Sequence, residues 1–362
     1  MGKMQRRFCC AAFVLLTGCG AKEDVIELYG AARYAQDDCR RVALIDAHSG
    51  KALRGAEDFA LDGEGKRLFV TAYDRRAVEK AARKNNDILP QGGIYEVSLD
   101  VLFSQQVKEI SVTSLASAVD FTGGLHPHGL SFDATNHELI FINRTYEREH
   151  GRWTMTPRLQ RIGANGEVFV GAPEAAHCAA NDVAASREGV ITSFDHASCG
   201  FGAKLENVFF LKRSGVERDS EPLFSKASFA NGVLSHEDGR IVMAATREKA
   251  LLVLNKTDDG YHEIARVSLP GGPDNLSFNS DGAVIAAVHP STFALMLNRK
   301  FGVGKAPSRI VEANLETGDV EMLFDDPKGA LFSAATVGVE TESGFAAGSV
   351  TDEGLLVCQA EA

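Results

Sequence analysis

Residues 231–243 read NGVLSHEDGRIVM, and this stretch holds the three parts of a unit that recurs along the chain. A small polar group opens a strand, a turn containing Gly239 follows, and an apolar strand returns. The polar openings recur six times at intervals of 43 to 71 residues: Glu57-Asp58-Phe59, His128-Gly129-Leu130, Asn181-Asp182-Val183, Asn231-Gly232-Val233, Asp274-Asn275-Leu276 and Ala335-Thr336-Val337. A repeat of this length with several short strands is typical of a β-propeller that has one blade per repeat. The sequence therefore predicts an all-β, six-bladed propeller.

The segments between the openings mostly read as strands and turns. Further strands are predicted at Gly93 to Leu99, Val208 to Leu211, Leu251 to Leu254 and Arg309 to Leu315. One insertion in the first blade differs, because residues 75–86 are mostly good helix formers. We expect a short helix there, at the rim of one face of the ring. Residues 200–202 and 302–305 are incomplete phosphate loops, and we interpret them as turns.

The first residues resemble an export signal. Lys3, Arg6 and Arg7 precede an apolar run of ten residues, which is too short to span a bilayer because that needs about 20. Residues 16–19, Leu-Thr-Gly-Cys, resemble a bacterial lipobox in which Cys19 is lipidated, although an ordinary signal peptide cut nearby is the alternative.

The expected organisation follows from this leader. Residues 1–18 are predicted to be a lipoprotein signal peptide, residues 19–36 a tether and residues 37–362 the propeller. Gly20 after the cysteine resembles the pattern of outer-membrane sorting. We therefore expect a cell-envelope lipoprotein that faces the periplasm and touches the membrane through its lipid alone.

Charge and cysteine content narrow the function classes. The formal net charge is −11, which argues against a nucleic-acid partner because such binding needs clustered Lys and Arg. Cys39 and Cys358 lie near the two ends of the body, where a propeller must close its ring, and we expect them to be bonded in an oxidising compartment. Cys178 and Cys199 flank one opening strand and its return, so we expect a second disulfide between them, although two buried thiols are the alternative.

Oxygen-bearing side chains recur at corresponding points of the repeat and should converge on the ring axis. Four openings supply them: Glu57, Asn181, Asn231, Asp274 and Asn275. Calcium takes six to eight oxygen ligands from carboxylates, amides and water, whereas zinc would ask for Cys and His. A second set one residue further on, Asp58 and Asp182 with the carbonyl of Leu130, could serve another ion at a different depth because neighbouring strand residues point to opposite sides. Any one of these residues alone could instead be a turn former or strand cap.

Six short segments between residues 39 and 358 give the chain a resemblance to a known family. They are Gly55-Ala56-Glu57-Asp58, Pro127-His128-Gly129, Asn181-Asp182, Phe229-Ala230-Asn231-Gly232, Asp274-Asn275 and His289-Pro290. In this order they resemble the paraoxonase/arylesterase lactonases, which are six-bladed calcium propellers allied to gluconolactonase-type enzymes.

The resemblance implies a role for each matching residue. A catalytic calcium would be held by Glu57, Asn181, Asn231, Asp274 and Asn275, and a structural calcium by Asp58, Asp182 and the Leu130 carbonyl. His128 would be the base that activates water, His289 a second pocket histidine and Phe229 a wall of the pocket. One departure is Arg144, which follows Asn143 where the family has a histidine that supports the base. An arginine cannot accept a proton near neutral pH, so a relay between two histidines is not expected.

The sequence thus predicts a two-calcium hydrolase of small lactones or aryl esters. His128 at a strand opening could take a proton from water, although a histidine satisfied within the core is the alternative. Two rival functions stay open. One is a non-catalytic propeller in which calcium is structural and the open face binds a partner. The other is a related enzyme acting on sugar lactones or phosphotriesters.

Overall fold

The computed structural model describes residues 29–62, 66–168 and 174–360, and the strands within these ranges form six sheets around one axis. Blade 1 contains β2 (Ala56–Leu61), β3 (Arg67–Ala72) and β4 (Gly93–Ser98). Blade 2 contains β6 (Pro127–Asp133), β7 (Glu138–Glu149), β8 (Arg152–Gly163) and β9 (Glu174–Ala175). Blade 3 contains β10 (Ala180–Ser186), β11 (Gly189–Phe194), β12 (Ser214–Arg218) and β13 (Glu221–Ala227). Blade 4 contains β14 (Ala230–Ser235), β15 (Ile241–Ala245), β16 (Ala250–Thr257) and β17 (Gly260–Ser268). Blade 5 contains β18 (Gly272–Phe278), β19 (Val284–His289), β20 (Ser308–Ala313) and β21 (Val320–Asp326). Blade 6 contains β22 (Ala335–Thr341), β23 (Gly344–Ser349), β24 (Leu355–Gln359), β1 (Cys39–Asp46) and β5 (Glu109–Val112). The predicted six-bladed propeller is confirmed.

The first strand of each blade faces the axis. These inner strands are β2, β6, β10, β14, β18 and β22, and each packs against the inner strands of both neighbouring blades. Because β2 contacts β22 as well as β6, the ring is closed. All six predicted polar openings lie at the starts of these inner strands, so they converge at one end of the central tunnel.

Blade 6 is closed by the two ends of the described chain. Strand β1 pairs antiparallel with β24, and Cys39 stands directly opposite Cys358 in that pairing. The two cysteines form a disulfide across a sequence separation of 319 residues, as the sequence predicted. Cross-linking so long a loop stabilises the fold by on the order of 5 kcal/mol in the chain-entropy account. Strand β5 then adds to the outer edge of β1 in parallel.

The apolar core lies between the blades. Each of the six largest hydrophobic clusters among the described residues joins two neighbouring blades, and together the clusters cover all six junctions. Phe69 of blade 1 with Phe141 of blade 2, and Ile285 of blade 5 with Phe345 of blade 6, are examples. Because this packing stabilises the ring from between the sheets, the axis can be polar.

Three of the described helices connect the second strand of a blade to the third, and a fourth, at Leu99–Leu102, follows the third strand of blade 1. The described part of the chain has four α-helices: α1 (Arg75–Arg83), α2 (Leu99–Leu102), α3 (Phe201–Phe209) and α4 (Thr292–Met296), the last continuing into a π-helical turn (Leu297–Phe301). The backbone N–H of Tyr73, just before α1, donates to the carbonyl of Gly55, just before β2. Helix α1 therefore lies at the face where the inner strands begin, as predicted. None of the described helices is long and apolar enough to cross a membrane.

Two local predictions of secondary structure are wrong, and the predicted end of helix α1 is shifted. Val208 to Leu211, predicted as a strand, belongs to the end of α3 and the residues after it, and Gly200-Phe201-Gly202, predicted as a turn, starts this helix. A run of four apolar residues does not distinguish helix from strand by periodicity. Helix α1 ends at Arg83 rather than Asn86, because Asn85 is already left-handed with a φ of 56°.

The ends of the body also clarify the predicted organisation. Arg33 and Tyr34, which lie in the predicted tether, bond through their backbone N–H groups to β21, and Tyr34 is buried against Phe345. The folded body therefore includes these two residues. Cys178 and Cys199 form the second disulfide, which settles the two options in favour of the bond. The predicted signal peptide and the lipidation site Cys19 lie outside the described residues.

Candidate functional site

Every inner strand contains a β-bulge at its opening. The register with the second strand shifts within the segments Ala56–Asp58, Pro127–Leu130, Ala180–Val183, Ala230–Val233, Pro273–Leu276 and Ala335–Val337. A bulge places an extra residue in one strand and re-aims its side chains. The bulges coincide with the polar openings, so consecutive side chains from each blade can be presented to the tunnel.

Glu57 and His128 meet at the outer end of the tunnel. Nδ1 of His128 lies 3.1 Å from Oε2 of Glu57, and Arg75 from α1 donates to Oε1 of Glu57 at 2.9 Å. Burial opposes ionisation of Glu57, but the contacts with His128 and Arg75 outweigh it and hold the pKa of Glu57 well below its usual range. Glu57 is therefore a buried carboxylate at neutral pH.

His128 is neutral and has a free ring nitrogen. Burial, together with the charge of Arg144, lowers the pKa of His128 to about 4. Its Nε2 is buried and has no hydrogen-bond partner among the described residues, and Nδ1, although close to Glu57, does not meet the geometry of a hydrogen bond either. A neutral imidazole with a free nitrogen can accept a proton from a bound water or substrate.

The amide and carboxylate side chains of blades 3 to 5 form the next part of the outer layer. Asn231 donates from Nδ2 to Oδ1 of Asp274 at 2.5 Å, and Nε2 of His289 lies 2.7 Å from Oδ2 of the same carboxylate. The oxygens Oδ1 of Asn181 and Oδ1 of Asn231 are buried and have no partner among the described residues. Buried acceptors are nearly always hydrogen-bonded in folded proteins, so two unpartnered oxygens at one end of the tunnel point to a ligand.

Two side chains tie blades 5 and 6 to the backbone of Glu57. Asn275 donates from Nδ2 to the Glu57 carbonyl at 2.9 Å, and Thr336 donates its hydroxyl to the same oxygen at 2.8 Å. Residues 57 and 275, separated by 218 positions in the chain, are thus in direct contact. Thr336 opens the sixth blade, but sequence analysis gave it no role.

A deeper layer contains two buried carboxyl groups. Asp58 accepts from the N–H of Leu130 at 2.7 Å, while Asp182 accepts from the N–H groups of Val183 at 2.7 Å and Val233 at 2.8 Å. The two carboxyl groups also interact with each other. Burial raises the pKa of Asp182 to about 7, and burial with the nearby charge of Asp182 raises the pKa of Asp58 well above its usual range.

These bonds connect neighbouring blades. Asp58 of blade 1 reaches blade 2, and Asp182 of blade 3 reaches blade 4. Leu130 contacts Asp58 through its N–H, whereas the resemblance assigned a ligand role to its carbonyl. The glycines beside this layer allow the close approach, since a Cβ on Gly129 would lie 2.5 Å from the Cα of Asp182.

The oxygen-rich outer layer fits calcium chemically. Its donors are two carboxylates and three side-chain amides, and the unpartnered oxygens of Asn181 and Asn231 are hard acceptors of the kind calcium takes. Within the described ranges no group of three or more His, Cys, Asp or Glu is placed to hold a metal ion, so an ion here would depend on the amides. Glu57 and Asp274 would share their carboxylates with Arg75 and His289.

The remaining predicted pocket residues lie around this end of the ring. Phe229 has a left-handed φ of 64° just before β14, and its ring contacts His196 edge-on at 5.5 Å. The N–H of Arg144 donates to the carbonyl of His126 beside the start of β6. His126 packs between two tyrosines and its Nε2 lies 3.0 Å from the carbonyl of Pro90, consistent with a packing role.

Sequence reasoning missed the arginines that reach this site from the loops. Arg75 begins α1, and its neighbour Arg76 is also basic, so two adjacent arginines at the start of a rim helix were the available signal. Arg299 in the π-helical turn gave no signal, because nothing in its neighbourhood places it near Glu57.

Comparison with known proteins gives likenesses of shape only. No protein family model matches the chain, and no curated protein matches it. A gluconolactonase from Xanthomonas campestris is 16% identical, with a TM-score of 0.47, covering 91% of this chain and 97% of its own. A PQQ-bound aldose sugar dehydrogenase from Streptomyces coelicolor is 12% identical, with a TM-score of 0.47 over 84% of this chain and 94% of its own. A Bacteroides caccae protein of unknown function is 10% identical, with a TM-score of 0.43 over 80% of this chain and 90% of its own. At such identities and scores these similarities carry no weight for activity.

Proposed function

We propose that this protein is a calcium-dependent hydrolase of lactones or aryl esters, with His128 as the base. The observation that carries the proposal is the unpartnered Nε2 of His128 at the same end of the tunnel as the unpartnered oxygens of Asn181 and Asn231. Buried polar atoms without partners are costly, and a substrate, water or ion would satisfy them.

Each residue of the site has its own role in the proposed hydrolysis. A calcium ion held by Glu57, Asn181, Asn231, Asp274 and Asn275 would supply a Lewis acid for the substrate carbonyl oxygen. Glu57 orients the ring of His128 through Nδ1. Nε2 takes a proton from water as its oxygen attacks the carbonyl carbon, the acyl carbon–oxygen bond breaks, and the proton passes to the leaving oxygen.

The deeper layer is proposed to hold a second, structural calcium through Asp58, Asp182 and the Leu130 carbonyl. The support is chemical, since two buried carboxyl groups in contact favour a cation between them. We also retain the proposal of an exported lipoprotein anchored through Cys19. Its support is the leader sequence, together with two disulfides that suit an oxidising compartment.

One observation favours a non-catalytic scaffold. Asp58, Asp182 and Asn275 each bond one blade to another, so part of the polar axis has a structural use without any substrate. In that case calcium would stabilise the ring, and the open face would bind a partner.

A lactone panel with phenyl acetate, assayed with and without chelation of calcium, separates the two functions. We expect hydrolysis that disappears on chelation and falls by about 10²- to 10⁴-fold in His128→Gln, because a positioned base contributes about this much. His236→Gln is the control, since His236 lies at the turn after β14, far along that strand from the openings. No turnover of any compound, with a melting temperature that falls on chelation, would favour the scaffold.

A further inference from the structure

Three arginines from three blades approach the outer layer. Arg75 begins α1 in blade 1, Arg144 lies in β7 of blade 2, and Arg299 lies in the π-helical turn of blade 5. The charge of Arg75, followed by burial and with a further contribution from Arg144, lowers the pKa of Arg299 to about 10. Glu79 lies within ion-pair distance of both Arg75 and Arg299, and the N–H of Arg144 donates to the carbonyl of His126 beside the start of β6. All three arginines therefore lie at the face where the inner strands begin.

The loops that carry two of these arginines are fixed to each other. Arg76 donates from Nη2 to the carbonyl of Asn298 at 2.5 Å and from Nε to the carbonyl of Arg299 at 3.1 Å. Asn298 in turn accepts from the hydroxyl of Thr351 at 2.8 Å and donates to the carbonyl of Gly304. The loops that carry Arg75 and Arg299 are thus held in place before any ligand arrives.

Two acids lie within ion-pair distance of two of the three arginines. Arg75 contacts Glu57 at 2.9 Å and Glu79 at 3.5 Å, and Arg299 lies 3.9 Å from Glu79. Arg75 and Arg299 therefore each have an acid beside them.

Arg144 differs from the other two arginines in its surroundings. The residue is only 7% exposed, and its Nε is buried without a partner. In the described part of the chain its guanidinium makes no hydrogen bond, and no acid lies within ion-pair distance. A buried cation without a counter-ion is unfavourable, so a ligand that brings a negative charge would be stabilising here.

We propose that Arg144, supported by Arg75 and Arg299, binds a carboxylate of the substrate, so that the preferred substrates are monoanionic lactones or esters. The substrate class rests on the proposed function, whereas the anion site itself does not. The planar guanidinium group of Arg144 can bind a carboxylate through two parallel hydrogen bonds, and one carboxylate would supply the counter-ion that Arg144 lacks. The N–H of Arg144 donates to the carbonyl of His126, two residues before His128, so the carboxylate would lie close to the reacting bond.

Binding of matched probes tests the anion site without catalysis. Titration calorimetry would compare cyclopentanecarboxylate with its neutral carboxamide. We expect the wild type to bind the carboxylate at least about tenfold more tightly than the amide, and Arg144→Gln to lose this preference. Arg161→Gln is the matched control, because Arg161 lies in the same blade but pairs with Glu138 and Glu174.

Three results would overturn the assignment. They are equal affinities for the two probes in the wild type, an unchanged preference in Arg144→Gln, and tighter binding of inorganic phosphate than of the carboxylate. Arg144→Gln should fold with an equal or higher melting temperature, since it removes an uncompensated charge. If Arg144→Gln does not fold, Arg144→Lys tests the anion site instead. The lysine keeps the charge but loses the paired hydrogen bonds, so it should weaken carboxylate binding.

Kinetics tests the substrate class. The ratio of kcat/KM for 5-oxotetrahydrofuran-2-carboxylate to that for γ-butyrolactone should be at least about ten in the wild type, chiefly through KM, and should fall towards one in Arg144→Gln. A wild-type ratio near one would overturn the carboxylate preference. Absence of turnover of either lactone, with the binding preference intact, would reject the proposed hydrolase and leave the anion site standing.

Discussion

The two layers of the tunnel use similar residues in opposite ways. In the deeper layer, the carboxyl groups of Asp58 and Asp182 accept hydrogen bonds from backbone N–H groups of the next blade. In the outer layer, His128, Asn181 and Asn231 each retain a buried atom without a partner. Satisfied polar groups stabilise a fold, whereas unsatisfied ones store a cost that a ligand can remove. The deeper layer is therefore suited to holding blades together, and the outer layer to binding.

The largest expected effect on stability is at Asp182. Replacing it in Asp182→Ala leaves the buried N–H groups of Val183 and Val233 without acceptors, so the free energy of unfolding should fall by about 3 kcal/mol or more. Denaturant unfolding measures this. Asp133→Ala is the control, because Asp133 also accepts from two backbone N–H groups, of Thr135 and Asn136, but in an exposed turn. Equal losses in the two variants would contradict the assignment of the deeper layer to stability.

Asn181 should affect calcium binding more than it affects the stability of the fold. Its Oδ1 has no partner, so Asn181→Ala should change the free energy of unfolding of the calcium-free protein by less than about 1 kcal/mol. The same variant should lose most of the rise in melting temperature that calcium gives the wild type, because bound ligand stabilises the folded state by mass action. Thermal melts in chelator and in calcium measure both. A calcium response like that of the wild type would remove Asn181 from the ligand set.

The sequence predicted the ring but not how its openings are used. The repeat of polar opening, turn and apolar return placed all six inner strands, since each blade follows the same local rules. It did not predict the bulges, because a register shift depends on pairing with the second strand rather than on residue type. It also missed Arg75 and Arg299, which reach the site from loops whose conformations depend on contacts between blades 1 and 5.

Asn275 belongs to the outer layer but also bonds to the backbone of Glu57, so it sharpens the distinction between the two layers. Asn275→Ala removes one of two donors to the Glu57 carbonyl, so stability should fall by only about 1 kcal/mol while the second donor remains. Because the amide is also a proposed calcium ligand, kcat/KM should fall more, by about tenfold or greater. Parallel unfolding and kinetic measurements give the two numbers. A variant that lost stability without losing activity would move Asn275 into the structural group.

The smallest expected effect is the coupling energy between Thr336 and Asn275, and it tests whether both side chains donate to one carbonyl. Thr336→Val keeps the side-chain shape and removes the hydroxyl, so unfolding should cost about 1 kcal/mol less while Asn275 still donates to Glu57. In the double variant with Asn275→Ala the Glu57 carbonyl loses both side-chain donors, so the combined loss should exceed the sum of the single losses by about 0.5 kcal/mol or more. A double-mutant cycle from denaturant unfolding measures this coupling. Strict additivity would mean that the two donors do not act on one carbonyl, and the position of Glu57 would then depend on its contacts with His128 and Arg75 alone.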